Sequence, residues 1–341
     1  MPVVTRDMVD QPTNSSALTD DLWRSPEWRR VLQLALAAIW MLDGLLQLQP
    51  FFFTAGNKGF SGMLAGAAAG NPRWVAHSIS WNASLIGHHP QPTNAAFAAI
   101  QILLGLGIAW RPTVKVALGT SIAWSVAVWW FGEGLGAIFQ GGNGSPLNGG
   151  PGAVLFYALL AVLLWPTEPS SSAPSHFAAA AAICEKAATV IWIVVWFVMA
   201  ALMVGAGHGS ESAHDVIAAN LPGEPGWLAT LDHHALSLVD HRGLTVAIVF
   251  ALVFVAVGVS VLLPRRVARA GVVIAVIAAI VIWVVGENFG LIFPGGATDP
   301  NSGPLLVLLA VTYWPLRPQP SESGLAAAVV PTEQPLPVGA R

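Results

Sequence analysis

Residues 129–142 and 283–296 carry one pattern twice. The first copy reads WWFGEGLGAIFQGG and the second WVVGENFGLIFPGG. Trp129, Gly132, Glu133, Gly136, Ile138 and Phe139 match Trp283, Gly286, Glu287, Gly290, Ile292 and Phe293. Each copy puts one carboxylate near the end of a long apolar run. A carboxylate in hydrocarbon needs a partner, a proton or a water-filled cavity. The duplication therefore constrains the fold and marks Glu133 and Glu287 as the first candidate site residues.

The apolar runs recur along the whole chain. Hydrophobic residues make up 55% of it and charged residues 10%, against about 25% charged in a soluble domain. Mean hydropathy is +0.64. This is the composition of an all-α integral membrane protein whose surroundings are a lipid bilayer. A net charge of −3 without a basic tract carries no nucleic-acid signature. The single cysteine, Cys184, excludes an internal disulfide framework and a multi-cysteine metal site.

Eight spans are expected, at about 28–50, 94–110, 114–138, 151–165, 187–206, 244–263, 270–293 and 303–315. Residues 1–26 read as a cytoplasmic tail, with the first span as an uncleaved signal anchor. Residues 316–341, rich in Pro and Ala, read as a disordered tail. Two spans are short. Residues 151–165 and 303–315 supply roughly 20–23 Å of helix against a hydrocarbon core of about 30 Å. Each follows a Gly/Pro-rich loop, GGNGSPLNGGP or GGATDPNSGP. Either those loops dip into the membrane, lined by protein, or the short spans are met by tilt and local thinning.

Positive charge sets the sidedness. Arg24, Arg29 and Arg30 precede span 1, and Arg111 and Lys115 lie between spans 2 and 3. Lys186 precedes span 5, and Arg265, Arg266 and Arg269 lie between spans 6 and 7. These loops share one face, which predicts a multi-pass protein of the cell membrane with both termini cytoplasmic.

The copy extends beyond the glutamate motif. Trp40 pairs with Trp196, Trp74 with Trp227, His88 with His241, and Trp165-Pro166 with Trp314-Pro315. Two repeats of four spans follow, at 27–166 and 186–315, joined by a linker at 167–185. Four is even, so both repeats enter the membrane in the same direction and are related by an axis along its normal.

The first repeat opens on Arg30-Val31-Leu32 and runs through Trp40, Gly44 and Pro50. An outer segment, a second apolar span and a basic turn follow. In this outline each half resembles the four-helix DoxX/DoxD-type membrane module. The GExxG motif of span 3 is not part of that pattern. The resemblance implies a membrane redox complex or a quinone-linked partner, and it transfers no catalytic residue.

On a continuous helix, Trp129 and Gly136 would share a face with Glu133, and Trp283 and Gly290 with Glu287. Gly132/Gly136 and Gly286/Gly290 would each form a GxxxG spacing that lets helices approach closely. The next helix begins just after a glycine loop, and its free N–H groups can receive an anion. Each glutamate therefore caps its own loop, holds an ion or proton, or serves an interface. Asp43, inside span 1, has Met199 as its counterpart in the second copy. It is either a functional asymmetry or an acid bonded to Gln33, Gln47 or Gln101.

Eight of nine histidines fall on the predicted outer side, six of them on amphipathic segments at 74–89 and 227–242. His234 and His241 share a helical face, Asp240 is adjacent, and His88 is the first-half counterpart of His241. Histidine with carboxylate suits zinc or copper. The same pattern also fits a surface helix with polar histidines. Three functions are left open. The first is a duplicated outer-face Glu/His site, binding a metal or proton in an accessory or redox-associated subunit. The second is a small-solute or ion transporter with its site at the repeat interface. The third is a scaffold without a site.

Overall fold

The computed structural model describes residues 26–54, 56, 59–140, 144–166, 177, 182–208 and 212–316. Both tails, nearly all of the 167–181 stretch of the linker, and Gly141, Gly142 and Asn143 lie outside the described residues. Within them the chain is all-helical. The first half holds α1 (Pro26–Leu46), α2 (Phe60–Gly66), α3 (Arg73–His88), α4 (Pro90–Ala109), α5 (Val114–Phe131) and α6 (Ala153–Leu163). The second half holds α7 (Glu185–Ala206), α8 (Ala213–Asn220), α9 (Gly226–Val239), α10 (Gly243–Ser260), α11 (Arg265–Val281) and α12 (Ser302–Thr312).

Five helices are long and apolar enough to cross a membrane: α4, α5 with its preceding turn, α7, α10, and α11 with the turn that follows it. Helix α1 has 21 residues, but Glu27, Arg29, Arg30 and Asp43 dilute its apolar character. Helices α6 and α12 are apolar and only 11 residues long. A bilayer suits such helices, because a helix satisfies its own backbone where no water can.

Small residues let the long helices touch. A Cβ on Gly44 would come within 2.8 Å of the Ala98 carbonyl oxygen, and one on Gly105 within 2.7 Å of that of Ala37. The two glycines thus let the backbones of α1 and α4 approach closely where they cross. Helices α7 and α10 pack as the corresponding pair, α5 lies along α6, and α11 along α12. Helix α6 meets α12, which joins the halves around a core that includes Trp40, Tyr157, Trp192, Trp196 and Tyr313.

The two glutamate motifs have the same unusual backbone. Glu133 N–H donates to the Val128 carbonyl five residues back at 3.0 Å, and Glu287 N–H to that of Ile282 at 2.8 Å. The helix therefore widens by one residue as it ends, a distortion that recurs at functional sites. Next comes one turn of left-handed backbone. Gly134, Leu135, Gly136 and Ala137 have φ of 56°, 60°, 59° and 59°. Asn288, Phe289, Gly290 and Leu291 have 47°, 54°, 72° and 60°. Left-handed backbone costs about 1–2 kcal/mol for each residue with a Cβ. Such conformations persist only where the surrounding packing holds them. Trp74 against Trp130 and Phe139, and Trp227 against Phe289 and Phe293, clamp the two turns from α3 and α9.

Candidate functional site

The end of each long helix is tied to the start of the short helix after it. Trp129 Nε1 donates to the Pro151 carbonyl at 2.8 Å, and Trp283 Nε1 to the Pro300 carbonyl at 2.8 Å. The glutamates complete the tie. Glu133 Oε1 accepts from the Val154 N–H at 3.1 Å. Glu287 Oε1 accepts from the Ser302 N–H at 3.2 Å and from the Ser302 hydroxyl, and its Oε2 accepts from the Gly303 N–H at 3.0 Å. Both carboxylates thus take the free N–H groups at a helix start, where the positive dipole end favours an anion.

The resemblance between the halves ends at the second oxygen. Glu287 is 3% exposed and both its oxygens are bonded. Glu133 Oε2 is buried and has no partner. The glycine spacing also works differently from a GxxxG helix contact. Helix α5 ends at Phe131, so Gly132 and Gly136 do not share a helical face. Gly136 and Gly290 instead sit in the left-handed turns, with their Cα atoms against the Pro151 and Pro300 backbones. Gly286 lies against the backbone of Leu147, where the two halves meet.

Asp43 finds a partner that the sequence order hides. Its Oδ2 accepts a hydrogen bond from the Tyr157 hydroxyl at 2.6 Å, and its Oδ1 has none. The glutamines considered for it are engaged elsewhere or unpaired at oxygen. Gln33 donates to the Leu164 carbonyl at 2.8 Å, Gln47 donates to Asn94, and Gln101 Oε1 has no partner. The asymmetry with Met199 is real in space, since Met199 is buried in apolar core.

Asp43 and Glu133 line one cavity of about 220 Å³ in the first half. A third acid comes from the second half. Asp299, in the loop before α12, lines the same cavity beside Thr298. Asp299 Oδ1 accepts from the Asn301 N–H and Oδ2 from the Thr298 hydroxyl, both at 2.7 Å. The loop is fixed from the first half by Gln49 Nε2, which donates to the Ala297 carbonyl at 3.3 Å. Helix α2 supplies Phe60, Met63 and Leu64, and α5 supplies Trp124, Val128 and Phe131. Among the described residues no Lys, Arg or His lines the cavity. Sequence reasoning missed Tyr157 and Asp299. A tyrosine inside an apolar span was the available signal for the first, and the acid in an otherwise polar-neutral loop for the second.

The histidines stand apart from this cavity. His88, His234 and His241 are all exposed. His88 Nδ1 pairs with the Ser84 carbonyl at 2.6 Å and His234 Nδ1 with that of Thr230 at 2.7 Å. His241 Nε2 lies 3.6 Å from Asp240. Among the described residues no three of His, Cys, Asp and Glu come close enough to hold a metal ion. That statement includes Asp43, Glu133 and Asp299, which share a cavity without converging on one point.

A further buried acid lies on α9, outside the spans. Asp232 is fully buried, and its carboxyl stands against that of Glu224. Burial first, and then the neighbouring Glu224, push its carboxyl up to about 7. Glu224 Oε1 accepts from Asn288 Nδ2 at 2.8 Å, which connects this pair to the left-handed turn. Between pH 3.8 and about 7 the folded chain keeps a proton that the unfolded chain releases. Stability contributed here is therefore full at acid pH and falls as pH rises through that window. Asp232→Asn removes the penalty. Thermal midpoints in detergent should show the variant ahead of wild type at pH 8, by on the order of 2 kcal/mol. The advantage should be absent at pH 4.

Compared with family models, with curated proteins and with solved structures, the chain matches none.

Proposed function

We propose that the chain is a polytopic membrane protein, built from two copies of one four-helix unit, whose first half binds a cationic solute. The observation that carries this reading is the cavity with acids from α1, from the end of α5 and from the 295–304 loop, and with no basic side chain among its described lining residues. Acids removed from water need a counter-charge or a proton. The cation reading favours a binding or transport role near the junction of the halves, as parallel-repeat transporters use. The common backbone of the two glutamate turns supports the duplication, and α1, α6 and α12 supply the three further spans of the eight-span reading.

The two copies have diverged in role. Glu287 fixes the loop that brings Asp299 to the cavity. Glu133 makes the equivalent tie with one oxygen and leaves the other for a guest. The test is thermal stability of the purified protein across a panel of sodium, calcium, methylammonium and benzylammonium salts at constant ionic strength. At least one cation should raise the midpoint saturably, as any ligand specific to the folded state does. Asp43→Asn and Glu133→Gln should each abolish that rise. Equal behaviour of wild type and both variants with every cation would end the reading.

A further inference from the structure

The cavity can be read for the size and chemistry of its guest. Its volume is about 220 Å³. An apolar cavity of about 150 Å³ holds benzene, so a six-membered ring and one or two further atoms fit. The walls are largely aromatic: Trp40, Phe60, Phe97, Trp124 and Phe131 line it. Phe97 and Trp124 stand edge to face with centroids 5.1 Å apart, and Phe60 continues the row at 5.7 Å from Phe97. Aromatic faces attract an ammonium and also bury hydrocarbon. They offer little to a small inorganic ion, which needs a shell of oxygen ligands.

The polar side of the lining is specific. Three buried acceptors lack a hydrogen-bond partner: Asp43 Oδ1, Glu133 Oε2 and Gln101 Oε1. Asp43 itself is 1% exposed and is anchored at its other oxygen by Tyr157. These three residues line one cavity, and among the described residues no three acids, histidines or cysteines are grouped there to hold a bare metal ion. Unpaired acceptors in an acid-lined cavity call for a guest that brings N–H donors and positive charge. A primary ammonium has three N–H donors and one positive charge.

We infer that the cavity binds a primary organic ammonium with a ring-sized apolar body, its head on the polar side that carries the unpaired oxygens of Asp43, Glu133 and Gln101 and its body against the aromatic row. Tyr157 orients Asp43, and the Thr298–Asp299 loop closes the polar side. The inference rests on the cation reading and narrows it. It also explains why the second half lacks the same site: Glu287 has no oxygen to offer, and Met199 replaces the acid.

The test is calorimetric titration of the full-length protein in detergent with benzylammonium, trimethylbenzylammonium, benzyl alcohol, sodium and calcium. Benzylammonium should bind at one site per chain. Trimethylbenzylammonium, which keeps the charge and ring but has no N–H, should bind at least about tenfold more weakly, or about 1.4 kcal/mol. Benzyl alcohol, which keeps the ring without the charge, should bind more weakly still. Gln101→Leu should weaken benzylammonium about tenfold while leaving the midpoint of the free protein within a few degrees. Glu133→Gln should abolish binding. Trimethylbenzylammonium binding as tightly as benzylammonium would overturn the hydrogen-bonded head group. Sodium or calcium binding without benzylammonium would overturn this inference and keep the cation reading. Benzyl alcohol binding as well as benzylammonium, or no cation binding at all, would overturn both.

Discussion

Glu287→Ala is expected to be the most damaging substitution at either glutamate, with a loss of about 3–5 kcal/mol in denaturant or thermal unfolding. The Ser302 hydroxyl and the Gly303 N–H both depend on Glu287, and both are buried. Leaving a buried donor unpaired costs about 1–3 kcal/mol. The Ser302 N–H suffers less, because Asn301 Oδ1 also accepts from it at 2.8 Å. Glu133→Ala deprives chiefly the Val154 N–H, with that of Ala153 beside it, and should cost about 1–2 kcal/mol. Glutamine separates the sites further. At 287 both oxygens face donors, so an amide must turn its NH₂ toward one of them, at a cost of about 2 kcal/mol. At 133 the amide oxygen can face Val154 and the NH₂ can occupy the unpaired position, so the fold should hold. Equal losses for the two glutamine variants would contradict this division of labour.

Gly136→Ala is expected to cost on the order of 4 kcal/mol, at the upper end for a single small substitution. Its φ is +59°, which strains any residue with a Cβ, and the added atom would fall on the Pro151 backbone. Pro151 cannot move freely, because its carbonyl holds Trp129 and the following residues hold Glu133. The same reasoning applies to Gly290→Ala, at φ +72°, where the Cβ would lie 2.7 Å from the Pro300 carbonyl carbon. Gly296→Ala is the control, since nothing lies within 4 Å of its Cβ position. Its change should stay within about 0.5 kcal/mol. The check is the thermal midpoint of each purified variant. A mild effect at Gly136 would mean that the left-handed turn is not tightly held.

Periodicity and charge reach some of this structure and miss the rest for definite reasons. Long apolar runs give α4, α5, α7, α10 and α11 directly, because hydrocarbon length and composition are local properties. The repeated WxxGExxG spacing points to Glu133 and Glu287, and the glycine loops point to the helix starts on which they end. The left-handed turns are hidden, because Leu135, Ala137, Phe289 and Leu291 have no intrinsic preference for that backbone. Tertiary packing overrides them. The Asp43–Tyr157 bond joins residues 114 positions apart, and Asp299 comes from the other half. No spacing rule relates such pairs. The identical glutamate motifs also suggest two equal sites, and only the bonding of the second oxygen separates them. The exposed histidines read as a cluster in sequence because α3 and α9 are amphipathic, yet each bonds within its own helix or to an adjacent residue.

The proposed cavity assigns Glu133 and Asp43 to the cation and Glu287 to the fold. The most direct measurement is modification by diisopropylcarbodiimide, which attacks protonated carboxyls in apolar surroundings, followed by peptide mapping in the mass spectrometer. Adducts should form at Glu133 or Asp43, with little at Glu287, whose oxygens are both engaged. A saturating cation from the binding panel should reduce the labelling several-fold. Labelling centred on Glu287, or labelling at Glu133 and Asp43 that no cation diminishes, would contradict the claim.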